Sequence, residues 1–269
     1  MPTKLTAETL IALSVPERKA LISQQASTID INNITDEDLH KAYKLTKVIY
    51  PIISSYFQYQ IEQDKQNSSV LQLDIQSELI HQKTEHFSTD FIVWLTKEFE
   101  QKKANLENYP NPRNLFELCG AKLLVTSNSV TRSLSTRMGN LWEQISNISP
   151  YVIVPEIEFG IKITGIDIII FNNDISYFAQ LKTLKGTLTG SQIPRAKKEL
   201  SIHENPLFVV AFNLGQWTFP QYSKIPRIAG REFWDKIQVD YDLVESHVKN
   251  MLLLIDKSFA ELAASEAQQ

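Results

Sequence analysis

The sequence contains one cysteine, eight glycines and no apolar run long enough to span a bilayer, and each scarcity removes a class of function. A lone thiol, Cys119, excludes an internal disulfide and a cysteine-rich zinc cage, and in its helix-like apolar surroundings it reads as a small core residue. Glycine is too sparse for a phosphate-cradling loop and no G-x-S-x-G elbow is present, so no nucleotide cofactor is expected. The histidines, His40, His81, His86, His203 and His247, show no spacing with acids or cysteine that suits zinc. The longest apolar stretches, Ile166 to Phe171, Leu207 to Phe212 and Met251 to Ile255, fall far short of the roughly 20 residues of a membrane helix, and no leader opens the chain. A soluble, cytoplasmic protein of one large or two modest domains is expected, with no membrane partner.

Positive charge is scarce overall but concentrated in one place. The net charge of −4 argues against polyanion binding over the whole surface. Yet between Leu181 and Arg231 the basic residues Lys182, Lys185, Arg195, Lys197, Lys198, Lys224, Arg227 and Arg231 face only Glu199 and Glu204. Such a run suits either a nucleic-acid groove or an ordinary solvated helix face.

The amino-terminal hundred residues read as helical. Ser14-Val-Pro-Glu17 is a capping box with proline in the first turn, and Thr35-Asp-Glu-Asp38 opens a second helix. A third is expected after Ser88, where Phe91, Trp94, Leu95 and Phe99 form one stripe. Asn108-Tyr-Pro-Asn-Pro-Arg113 should then break the pattern as a linker, separating a helical region, 1–112, from a catalytic region, 113–269.

The second region alternates helices and strands, the order of an α/β fold with a mixed central sheet flanked by helices. Ser135 or Thr136 is expected to cap a helix through Gly139, Leu141, Trp142, Glu143 and Ile145. Tyr151 to Phe159 alternates as a strand, with Val152, Val154, Glu156 and Glu158 on one side. A hairpin follows, then a basic helix from Ser191 to Leu200 and a buried strand from Leu207 to Phe212.

That hairpin carries the chemistry. The apolar run Gly165-Ile-Asp-Ile-Ile-Ile-Phe171 and the run containing Gln180-Leu-Lys182 flank the turn formers Asn172-Asn-Asp174. If Asn172 to Ile175 form the loop, Asp167 lies opposite Gln180, and Gln180 and Lys182 share a face. Phosphodiester hydrolysis needs a cation to neutralise charge on the phosphorus oxygens, an activated water and help for the leaving oxygen. Asp167 would supply an anionic ligand to magnesium, Gln180 and the Leu181 carbonyl neutral ones, and Lys182 would hold the attacking water. Glutamine brings no charge, so another acid must compensate. Glu143 is the first choice, followed by Glu158 and Glu156.

These residues resemble the PD-(D/E)xK nucleases, and within them the type II restriction endonucleases. The likeness covers roughly Ser135 to Phe212, with an echo in Gly230-Arg-Glu-Phe-Trp234 and the helix beyond. Ser135-Thr-Arg-Met-Gly139 leading to Glu143 is similar to the helix that contributes an accessory acid. Gly165-Ile-Asp167 is similar to the metal-binding strand, and Gln180-Leu-Lys182 to the E-x-K element, with glutamine as in Mrr-like members. The resemblance implies a restriction-endonuclease-like core and a homodimer that cuts both strands of double-stranded DNA with magnesium, manganese substituting. Arg132, Arg137, Lys185, Gln192, Arg195, Lys197 and Lys198 are the expected DNA contacts. The rival readings are a structure-selective repair or recombination nuclease, and a non-catalytic binding or scaffold protein in which Asp167 and Lys182 merely pair.

Overall fold

A two-residue turn organises the sheet. Asn173 and Asp174 both adopt left-handed backbone, with φ of 51° and 58°, as the turn of a tight hairpin requires. They join β2 (Ile168–Asn172) to β3 (Ile175–Leu184), with Phe171 paired to Ser176 and Ile168 to Ala179. The loop is shorter than the four residues expected, yet the pairing is the one a four-residue loop would also impose. The register is therefore unchanged.

This computed structural model describes residues 5–31, 33–67, 72–108 and 122–267. Besides the hairpin, the sheet contains β1 (Val152–Ile153), β4 (Pro206–Phe212) and β5 (Arg227–Ala229). The five strands lie in chain order, antiparallel from β1 to β3 and parallel from β3 to β5. The described helices are α1 (Ala7–Ile11), α2 (Val15–Ser27), α3 (Glu37–Asn67), α4 (Leu73–Asn108), α5 (Lys122–Ser146), α6 (Pro155–Phe159), α7 (Gln192–Ser201), α8 (Arg231–Lys236) and α9 (Tyr241–Ala267). The fold is thus mixed α/β, and no described helix is long and apolar enough to cross a membrane.

The chain divides into two compact units. One comprises Met1–Gln76 and Trp142–Tyr241, the other Ser77–Leu141 and Asp242–Gln269. In the first, α3 lies on the sheet: Phe57 stacks on Phe171 at 5.2 Å and Tyr50 meets Phe178 at 6.2 Å between ring centres. The first helices therefore share their core with the sheet. The Ser14 capping box is present, the Glu17 carboxylate accepting both the Ser14 N–H (2.8 Å) and its hydroxyl (2.6 Å). Asp36 caps α3 through the Leu39 N–H at 3.2 Å. In the second unit Phe91, Leu95, Phe99, Val130, Val248 and Ile255 are buried, and Phe99 packs on Phe259 at 5.6 Å.

Three local expectations are corrected. Tyr151 to Phe159 is not one strand: Pro155 cannot donate to a ladder and is preset for a first helical turn, so β1 stops at Ile153 and α6 begins, ending at the left-handed Gly160. Ser135 and Thr136 do not cap a helix but lie inside α5, their hydroxyls donating to the Thr131 and Arg132 carbonyls at 2.9 Å. Ser88 likewise sits inside α4, donating to the Glu85 carbonyl at 2.9 Å. Helix α4 ends at Asn108, whereas the remainder of the expected linker and Cys119 lie outside the described residues.

Candidate functional site

Asp167 stands just before β2, where β3 outruns its partner. Its N–H donates to the Ala179 carbonyl at 2.9 Å, just past the last ladder pair, Ile168 with Ala179. Beyond that point β2 offers Leu181 no ladder partner. Asp167 fills the gap, its Oδ2 accepting the Leu181 N–H at 2.7 Å. Lys182 Nζ donates to the same oxygen at 3.3 Å. The two side chains are 27% and 25% exposed, neither freely solvated nor sealed. Asp167 Oδ1 has no hydrogen bond to the described residues, and the Leu181 carbonyl leaves the strand on the same edge as its N–H.

Glu143 joins them from the last turns of α5. The preceding Trp142 anchors that helix to β3 by donating from Nε1 to Thr183 Oγ1 at 2.9 Å. Burial pushes the Glu143 carboxyl up to about 7, and the negative charges of Asp167 and Glu156 add to the effect against Lys182 and Lys162. A carboxyl poised there can hold or release a proton near neutrality, or lose it to a cation. Glu156 is exposed on α6. Glu158 is engaged elsewhere, accepting from the Arg18 guanidinium and the Tyr56 hydroxyl. Of the three candidate glutamates, Glu143 feels the charges of both Asp167 and Glu156.

A neighbouring helix holds Gln180. It is 6% exposed, and its Nε2 donates to Glu199 Oε2 on α7 at 3.3 Å. A carboxylate can only accept, so the amide nitrogen must face Glu199 and the oxygen must face away. That oxygen, Oε1, is buried and finds no partner among the described residues. Glu199 is itself buried, and Arg195 Nε donates to its Oε1 at 2.7 Å. A side chain at Gly165 (φ +82°) would place its Cβ 2.5 Å from that of Glu199, so glycine permits both the backbone turn and the approach of α7.

The basic residues divide into spent and unspent. Arg195 pairs with Glu199, and Lys198 with Asp36 at 3.5 Å. The Gln192 side-chain oxygen accepts from the Thr189 N–H and hydroxyl at the start of α7. Lys185 and Arg227 both lie against Trp217, at 5.6 and 4.5 Å from the ring centre, and Lys197 lies over Tyr222 at 4.3 Å. In the second unit Arg137 rests on Trp94 at 4.8 Å, and Arg132 is exposed on α5.

No family model matches the chain, and no curated protein or solved structure matches it either. Among the described residues no three His, Cys, Asp or Glu side chains are grouped to hold a metal ion. Asp167 and Glu143, with backbone and water oxygens, instead match magnesium, which binds through one or two carboxylates and keeps several waters. An open cleft of about 520 Å³ in the second unit is lined by Glu78, His81, Glu85 and His247. With two carboxylates and no lysine or arginine, it does not suit a polyanion.

Sequence reasoning missed Lys162 and gave Glu199 no role beyond opposing the basic run. Arg195 and Glu199 left a trace, an i, i+4 pair on a basic helix.

Proposed function

We propose that this protein is a magnesium-dependent endonuclease that hydrolyses phosphodiester bonds of double-stranded DNA at a short recognition sequence, as a type II restriction enzyme does. The observation that carries the reading is a carboxylate and an ammonium 3.3 Å apart and one-quarter exposed, beside a second carboxyl held near pH 7. On this reading the sheet is a restriction-endonuclease-like core. Asp167, through its unbonded Oδ1, and Glu143 would hold magnesium or manganese with the Leu181 carbonyl.

The bound ion supplies charge neutralisation at the phosphate and acidifies a water. Lys182 orients the attacking water and stabilises charge developing on the phosphate. Glu143 holds or releases a proton, while Lys185, Lys197 and Arg227 bind backbone phosphates. A homodimer matches two-fold protein symmetry to a palindromic target.

A structural reading has one specific observation in its favour, because Asp167 Oδ2 already satisfies the Leu181 N–H. Digestion of a mapped plasmid with and without magnesium, followed by sequencing of the ends, decides between them. Fixed ends at one short sequence support restriction. Cuts confined to branched or damaged DNA indicate a repair nuclease, and intact plasmid with either magnesium or manganese overturns catalysis.

A further inference from the structure

Glu199 is a carboxylate in an expensive position. The residue is only 7% exposed, and its two side-chain partners are unequal: Gln180 is buried, whereas the Arg195 side chain is 73% exposed. Burying a carboxylate with incomplete compensation costs several kcal/mol. The amide it binds precedes Leu181, whose N–H donates to Asp167, and the amide oxygen is left buried and unpaired among the described residues, a loss of about 1–3 kcal/mol. Two unfavourable features meet beside the candidate cation site.

We infer that Glu199 is a positioning residue of that site: it fixes the Gln180 amide and adds, behind the ligands Asp167 and Glu143, a negative charge that glutamine itself cannot bring. The inference rests on the proposed role of Asp167 as a cation ligand. Arg195 is the counterweight. Its exposed guanidinium offsets Glu199 while no polyanion is present, and a DNA phosphate competes for the same group, leaving Glu199 less neutralised when substrate arrives. Cation and DNA should then each strengthen binding of the other, as linkage requires.

The test measures Mn2+ binding to the full chain without DNA, by the electron paramagnetic resonance signal of the free ion. Glu199→Gln should weaken binding about tenfold or more, the usual size for residues behind a ligand. Arg195→Gln should tighten it roughly two- to fivefold, the effect of removing one partly exposed opposing charge. Asp167→Asn should abolish it. If the Glu199 and Arg195 variants bind like the parent while the Asp167 variant does not, Glu199 has no part in the site and the nuclease reading survives. If the parent binds Mn2+ no better than the Asp167 variant, both ideas fall. Should Glu199→Gln not fold, Arg195→Gln decides alone, and unchanged or weaker binding overturns the inference.

Discussion

Lys182 Nζ and Leu181 N–H converge on a single oxygen, Asp167 Oδ2, at 3.3 and 2.7 Å. The arrangement joins the end of one strand to the overhang of its neighbour and leaves the other carboxylate oxygen open. A pair this exposed contributes at most about 1 kcal/mol to stability. Folding energy alone is a weak reason for placing it there.

Lys182→Ala should therefore leave the protein folded, with a melting temperature within about 4 °C of the parent. Magnesium-dependent plasmid cleavage should fall by a factor on the order of 100–1,000, with DNA binding retained. Global unfolding of this variant would favour the scaffold reading.

Glu143 should make stability fall as pH rises. Its folded pKa, about 7, lies above the ordinary value of 4.5, so between these values the native state binds more protons than the unfolded chain. The neutral carboxyl carries no penalty below 4.5, and the cost of ionising it is complete above 7. Thermal melts in chelator should show Glu143→Gln gaining on the parent from pH 5 to pH 8, by about 2 °C or more. Parallel curves would contradict the burial of this group.

His203 should act in the opposite sense. Burial pulls its pKa down from 6.5 to about 4, a backbone hydrogen bond with Thr164 opposing the shift, and its Nδ1 meets Thr46 Oγ1 at 3.0 Å. Its contribution is complete above pH 6.5 and is lost as pH falls toward 4. Urea titrations of His203→Gln should give a flatter dependence in that window, whatever the variant's overall stability. A slope equal to the parent's would rule His203 out as its source.

Lys185 and Lys197 each lie against an aromatic ring and form no ion pair with a described carboxylate. Replacing either by alanine should lower the slope of log K against log salt for duplex binding by about 1, with no change in sequence preference. Fluorescence anisotropy from 50 to 300 mM salt measures this, and an unaltered slope removes that lysine from the interface.

The hairpin was readable because turn chemistry and period-two alternation act over a few residues. Asn173 and Asp174 tolerate the left-handed backbone, and a loop of two or four residues gives the same pairing, so the β2–β3 register is as expected although the turn is shorter. Alternation misled at Tyr151 to Phe159, where one proline outweighed the pattern. The two units also escaped a linear reading, since each joins segments far apart in the chain.

Local residue order was enough to bring an acid, an amide and an ammonium to neighbouring positions on two strands, since backbone geometry alone dictates strand pairing and facing. Which way the amide turns was decided by the docking of α7, whose Glu199 takes its nitrogen. Glu158 was removed from the candidates likewise, Arg18 and Tyr56 claiming its carboxylate. Those outcomes depend on burial and on partners up to 140 positions away, and no local pattern encodes them.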